Sequence, residues 1–167
     1  LLNEGHQVWV VDNLLTGSEA NIVDLNKRAD FIFIKADVIQ RSFWDELGSV
    51  KFDVVYHLAS PASPIWYQQY PVETLEANSQ GTKNMLELAR RDGAKFIYAS
   101  TSEVYGDPLE HPQKETYWGN VNSFGPRACY DEAKRFGEAL CYTYLYDFGV
   151  DVRVVRIFNT YGPKMDP

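Results

Sequence analysis

Phe96-Ile97-Tyr98-Ala99-Ser100 decides the fold. This short apolar and aromatic burst stands between two longer stretches of helical period, Val72–Arg91 before it and Ala128–Phe148 after it. In the first, Leu75, Ala77, Asn78, Gly81, Met85, Leu86, Leu88 and Ala89 recur at helical spacing, with Pro71 in front and Gly93 just past the end. In the second, Tyr130, Lys134, Phe136, Ala139, Leu140 and Tyr144 do the same, and Gly149 closes the run. Outward from this centre the pattern repeats, since His6–Val11, Phe31–Lys35, Val54–Leu58 and Val152–Ile157 are bursts of the same kind. A burst too short for a helix and rich in β-branched residues reads as a buried parallel strand. Strands alternating with helices predict an α/β fold with a doubly wound parallel sheet.

Pro61–Tyr70 and Gly106–Pro126 are rich in Pro, Gly and aromatic residues and read as long loops at the carboxyl ends of strands, the edge where open α/β sheets hold ligands. The 167 residues are expected to form one domain, with no internal repeat, low-complexity tract or linker. Sixteen basic against 23 acidic side chains leave a net charge of −7, without a basic run, which argues against a phosphate-backbone binder and so against nucleic acid as a partner. Cys129 and Cys141 fall on one expected helix, about 18 Å apart along its axis at 1.5 Å per residue. That is too far for a disulfide, so both read as reduced thiols of a cytoplasmic compartment. Leu1-Leu2-Asn3-Glu4-Gly5 reads as the last turn of a helix entering the first strand. At least one further strand is therefore expected ahead of it, as a removed edge strand. No apolar run approaches the ~18 residues of a membrane span.

Several residues carry chemistry. Asp12 ends the first strand and is followed by Asn13-Leu14-Leu15-Thr16-Gly17. A carboxylate there serves either as a turn cap or as an acceptor for the ribose hydroxyls of a dinucleotide, and in the second role its charge disfavours a 2′-phosphate. Asp37-Val38 follows the second strand, where an acid can meet an adenine amino group, and small residues in Leu58-Ala59-Ser60 permit close approach of a cofactor. His57 has no partner at metal or triad spacing and reads as a packed strand-end histidine; no metal is expected. Tyr130-Asp131-Glu132-Ala133-Lys134 places a phenol and an ammonium on one helix face. A nearby cation favours phenolate, and a phenolate can take a proton from a substrate hydroxyl while hydride leaves the same carbon. A surface Tyr–Lys pair is the plain alternative. Against it stands the preceding strand end, Ser100-Thr101-Ser102-Glu103, in the order needed for a hydroxyl and a carboxylate to face that phenol.

This ordered set, with Val104-Tyr105-Gly106 and Arg156-Ile157-Phe158-Asn159-Thr160-Tyr161-Gly162-Pro163, resembles the extended short-chain dehydrogenase/reductases that act on nucleotide sugars. Within them, His57–Pro64, Gly106-Asp107-Pro108 and Gly125–Glu132 are similar to the decarboxylases of UDP-glucuronate. The resemblance covers nearly the whole chain and implies a Rossmann-like domain with NAD as cofactor, UDP-glucuronate as substrate and a homodimer paired through the two long helices. It implies Tyr130 as base and Lys134 as its charge partner. Thr101 would be the hydroxyl partner of the reacting oxygen, with Ser102 and Glu103 near the sugar carboxylate. It places Asp12, Asn13, Thr16, Gly17, Asp37, Val38, Leu58, Ala59, Ser60, Tyr130 and Lys134 against the cofactor. It places Asn78, Glu103, Arg127, Tyr130 and Asn159 against the sugar nucleotide. Sugar 4,6-dehydratases of this group carry Thr-Asp-Glu where this chain has Thr101-Ser102-Glu103, so elimination of water lacks its acid. A 4-epimerase or dehydratase on the same scaffold, or a cofactor-binding protein without catalysis, are the competing readings. The resemblance further implies a glycine-rich loop ahead of Leu1 and a smaller substrate domain beyond Pro167. The 167 residues alone are then expected to be an inactive fragment. Some relatives carry an N-terminal membrane anchor, so the resemblance leaves localisation open.

Overall fold

The computed structural model describes residues 1–162; Pro163, the end of the Asn159–Pro163 motif, lies outside them. Five parallel strands form, β1 Val8–Asp12, β2 Phe31–Lys35, β3 Val54–His57, β4 Lys95–Thr101 and β5 Val152–Ile157. The five expected bursts and the two expected helices are all present, with ends shifted by a few residues. Leu2–Glu4 is a short 3-10 turn that stops at Gly5, whose φ of 84° is the left-handed conformation glycine adopts without strain.

The strands do not make one continuous sheet. β1 pairs with β2, while β3, β4 and β5 form a second ladder in that order. Among the described residues no ladder joins β1 to β3. The backbone edges of β1 and β3 that face away from β2 and β4 have no strand partner among the described residues. Accordingly Val54 and Tyr56 of β3 are exposed, and no residue of β1 is fully buried although Phe31 and Ile34 of the outer β2 are. The strands are thus less uniformly buried than the sequence predicts, because burial of a parallel strand needs neighbours on both edges as well as cover on both faces.

One apolar cluster nonetheless joins the two ladders. Ile34 and Val38 pack into the same core as Val55, Leu86, Phe96, Tyr98 and Cys141. Phe96 and Tyr98 are fully buried, each stabilising the fold by roughly 1.5–3 kcal/mol of apolar transfer.

Three helical features depart from the expectation. Phe43–Leu47 forms α1, seated by buried Phe43 and Leu47, which the sequence reading did not predict. Within Pro61–Tyr70, read as a loop, Pro64–Gln69 is α2: Ser63 caps it by accepting from the Trp66 amide at 3.4 Å, and Pro64 fills the first turn. The long helix expected over Val72–Arg91 is α3 Pro71–Glu76 and α4 Thr82–Asp92 joined by a π turn, Ala77–Gly81. The extra residue of a π turn rotates the side chains, and here it turns Asn78 fully inward. Helix α5, Ala128–Tyr146, carries both cysteines as free thiols. Among the described residues no helix is long and apolar enough to cross a membrane.

Candidate active site

At the carboxyl ends of β1, β2 and β3 the chain leaves a cavity of about 130 Å³. Asp12, Asn13, Thr16, Asp37, Val38, Leu58, Ala59 and Ser60 line it, and Glu73 and Ala77 close one side. Asp12 accepts the Leu14 amide at 2.7 Å through one carboxylate oxygen, holding Leu14 at φ 59°, a conformation that costs a branched side chain energy. Asn13 donates to Asp37 at 2.8 Å, tying the two strand ends together, and Asp37 also accepts the Ile39 amide at 3.0 Å. Gly17 follows the turn with its α-carbon beside Asp12 and Leu14. Both acids are therefore fixed by local backbone bonds, each with acceptor capacity left over.

A second cluster gathers where β4 meets α5. Thr101 ends β4 and its hydroxyl accepts from the Glu103 amide at 3.3 Å, capping the 3-10 turn Ser102–Tyr105. Ser102 donates to Glu103 at 3.4 Å, and the Glu103 carboxylate is ion-paired with Arg127, which lies 3.9 Å from Asp131 on its other side. Tyr130 is buried and stacks flat on Tyr67 of α2, with ring centroids 4.8 Å apart. Burial pushes the Tyr130 phenol up, against the lowering effect of a hydrogen bond with Thr101 and the charge of Arg127. Lys134 is buried too, and burial pulls its ammonium down to about 8. Its Nζ donates to the Ala99 carbonyl at 2.9 Å and stands 5.8 Å from the Tyr130 ring centroid. The phenolate is therefore not favoured by the protein alone; Thr101 and Arg127 supply the local lowering.

The structure brings Thr101, Ser102, Glu103, Arg127, Tyr130 and Lys134 together, and separately gathers the strand-end residues around the cavity. None of the first group lines that cavity. Asn78 sits between the two: its amide donates to Ser60 at 2.8 Å and to the Thr74 carbonyl at 2.9 Å, while its oxygen accepts from Tyr98 at 3.2 Å. Asn159 is exposed beyond the end of β5. His57 is buried, its Nε2 3.0 Å from the Thr82 hydroxyl, and burial holds it neutral with a pKa of about 3. The sequence reading missed Tyr67, although Ser63-Pro64 is a helix-start signal that would have placed it on α2. It also missed Asp131, whose Oδ1 is buried without a hydrogen-bond partner and whose carboxyl is pushed up by burial. Among the described residues no cluster of His, Cys, Asp and Glu could hold a metal.

A doubly wound parallel α/β fold, with acids at the first strand ends and a Tyr–Lys helix beside a hydroxyl-bearing strand end, defines a dinucleotide-binding scaffold. The model of the NAD dependent epimerase/dehydratase family matches residues 1–167, and the chain belongs to that family. It is 53% identical over 165 residues to UDP-glucuronic acid decarboxylase 1 of Arabidopsis thaliana, covering 99% of this chain and 37% of that protein. Among solved structures it is similar to UDP-glucose 4-epimerase of Thermotoga maritima, with a TM-score of 0.84 and 28% identity over 99% of this chain and 52% of the other. It is also similar to UDP-glucuronic acid 4-epimerase of Bacillus cereus in complex with NAD, with a TM-score of 0.80 and 28% identity over 99% of this chain and 53% of that one. The chain spans about two fifths of the length of the Arabidopsis relative. The residues present fit the adenosine half of NAD. Asp12 and Asp37 offer free acceptor capacity at the cavity, Ala59 and Ser60 leave room for close approach, and the two carboxylates disfavour a 2′-phosphate.

Proposed function

We propose that the enzyme carrying this chain decarboxylates UDP-glucuronate to UDP-xylose, with NAD taking hydride from the sugar C4 and returning it within one turnover. The observation that carries this reading is the strand end itself, where Ser102 stands between Thr101 and Glu103 and Glu103 is paired with Arg127. That tripeptide offers no free acid to protonate a departing 6-hydroxyl, and the Arg127 guanidinium beside it suits a uronate carboxylate. The identity to relatives named UDP-glucuronic acid decarboxylase supports it further.

In this mechanism Tyr130 takes the proton of the C4 hydroxyl while Thr101 holds that oxygen. Oxidation there gives a ketone β to the carboxylate, and loss of carbon dioxide leaves an enolate whose charge the protonated Tyr130 and the Thr101 hydroxyl stabilise. Lys134 contributes positive potential beneath the phenol and a donor toward a cofactor ribose, and Asp12 with Asp37 orients the adenosine end.

The same reading pairs the enzyme as a homodimer. Val72 and Leu75 of α3 and Phe136 of α5 are large apolar side chains exposed on two adjacent helices. Light scattering should give twice the chain mass for the full-length enzyme and a monomer for Leu75→Glu. The free thiols fit a reducing, cytoplasmic location.

The test incubates a full-length enzyme carrying these residues with UDP-glucuronate and NAD⁺, follows the sugar nucleotide by mass spectrometry and reads NADH absorbance. Loss of carbon dioxide without lasting NADH supports the proposal, whereas accumulating NADH marks release of the 4-keto pentose instead. An unchanged UDP-glucuronate, or its conversion to the C4 epimer, overturns it. In the same assay Tyr130→Phe should lower turnover by at least about 100-fold, the general-base contribution, with UDP-sugar affinity within a few fold.

A further inference from the structure

Tyr130, Lys134 and Glu138 follow one another at i, i+4 and i+8 along one stripe of α5. The catalytic reading uses the first two and leaves Glu138 without a role. Its carboxylate is nevertheless the most heavily engaged acceptor near the site. Oε1 accepts from the Ser100 hydroxyl at 2.6 Å and from Arg156 Nε at 2.9 Å, and Oε2 accepts from Arg156 Nη2 at 2.7 Å. The remaining donor of Arg156, Nη1, reaches the Tyr105 hydroxyl at 2.9 Å and the Glu115 carbonyl at 3.0 Å. The guanidinium also lies 4.9 Å over the Tyr105 ring. One carboxylate thereby links α5 to β4 through Ser100 and, through Arg156 of β5, to the turn Ser102–Tyr105 and the loop that follows it.

The spacing of these links is what matters. Lys134 bonds the Ala99 carbonyl and Glu138 bonds the Ser100 hydroxyl, so two successive turns of α5 are pinned to two successive residues of β4. The next strand residue is Thr101, the partner of Tyr130. Gly137, between the pins, carries no Cβ because one would overlap the Tyr98 hydroxyl, so α5 lies directly on the strand. Rotating or sliding α5 would move Tyr130 relative to Thr101, and Lys134 alone, a single flexible chain on one carbonyl, does not prevent rotation.

We propose that Glu138 is a positioning residue: clamped side-on by Arg156 and bonded by Ser100, it fixes the rotation of α5 on β4 and thereby holds the Tyr130 phenol against Thr101. A half-buried ion pair contributes little net stability, since desolvation offsets much of its attraction, but its bidentate geometry admits one arrangement. The role is therefore in placement more than in folding.

The proposal rests on Tyr130 acting as the base, and its test has an arm that needs no turnover. In the full-length enzyme, Glu138→Gln keeps the shape and an acceptor for Ser100 but breaks the charged fork. Measured where the variant is fully folded, its kcat should fall by roughly 10- to 100-fold, as misplacement by an ångström does, with KM within about threefold, while the thermal midpoint drops because Arg156 is left without its partner charge. Ser100→Ala, which removes only the pin to β4, should move kcat the same way by less, and Arg156→Lys, which keeps charge but not the fork, should behave like Glu138→Gln. Activity that falls only in step with the folded fraction, or does not fall, overturns the proposal. Independently of turnover, ¹³C-labelled tyrosine NMR, with Tyr130 assigned by Tyr130→Phe, should show the phenol titrating at higher pH in Ser100→Ala, which frees Glu138 from β4 without changing any charge, because the hydrogen bond of Tyr130 with Thr101 is loosened. An unmoved Tyr130 titration overturns the positioning role. A wild-type enzyme inert toward UDP-glucuronate sinks the substrate reading alone and leaves this second arm to decide on Glu138.

Discussion

Lys134 shows at the scale of one residue how burying a charge opposes stability. Its ammonium is buried with one carbonyl acceptor, and its pKa drops from 10.5 to about 8. In the unfolded chain the amine stays protonated to higher pH than in the folded one. Between about pH 8 and 10.5 the unfolded state thus binds more protons, and this residue makes stability rise with pH across that window. Lys134→Met should raise stability at pH 7 by up to about 3 kcal/mol, remove that alkaline rise and abolish turnover; urea titrations at pH 7 and pH 9.5 check it. His57 works at the opposite end. Its folded pKa of about 3 lies below the ordinary 6.5, so the unfolded state gains a proton first as pH falls. Stability should then fall between pH 6.5 and 3 by an amount that His57→Gln reduces, read from urea midpoints at pH 7 and pH 4.5. The role of His57 as a packed strand-end residue was legible in the sequence from its lack of partners. The burial that sets its titration was not, because that depends on Thr82 of α4 and on the strands beside it.

Among the elements, α5 and the π turn show where sequence patterns stop being informative. Periodicity placed both long helices correctly because apolar spacing depends only on which face is buried. It did not resolve the π turn, since inserting one residue into a helix leaves the surrounding spacing nearly intact while rotating Asn78 into the core. Glycines mark the tightest helix contacts. A Cβ at Gly81 would press on a methyl of Val38, which can shift, whereas at Gly137 it would overlap the Tyr98 ring and hydroxyl in a fully buried position. Gly137→Ala should therefore destabilise the protein by roughly 1–3 kcal/mol, more than Gly81→Ala, and should lower turnover by lifting α5 from β4. Urea midpoints of the two variants compare the costs directly. Helix α2 escaped the reading for a different reason: its six residues are too few to show a period, and only the Ser63-Pro64 start signal announced it.

For the whole molecule the deciding feature is the break between the two ladders. Among the described residues β1 and β3 present unpaired edges, and Val54, Tyr56 and Leu58 together with Val154, Val155 and Ile157 on β5 leave apolar surface exposed. Edges of this kind template pairing with other chains. The 167-residue chain by itself, carrying Leu75→Glu to block helix pairing, should self-associate as concentration rises. Sedimentation velocity should show a mass climbing above 19.1 kDa, and a constant monomer mass over a tenfold range would refute this. By itself the sequence determined the α/β class, the order of strands and helices, and the residues offered at each strand end. Those follow from local periodicity and from short motifs carried on single elements. Tertiary structure alone decided that the strands divide into two ladders, that Asn78 turns inward onto Ser60 and Tyr98, that Tyr67 stacks on Tyr130, and that Glu138 joins β4 to β5. Each of these pairs residues distant in sequence, and such pairings depend on how elements pack in space, which no local pattern of side chains encodes.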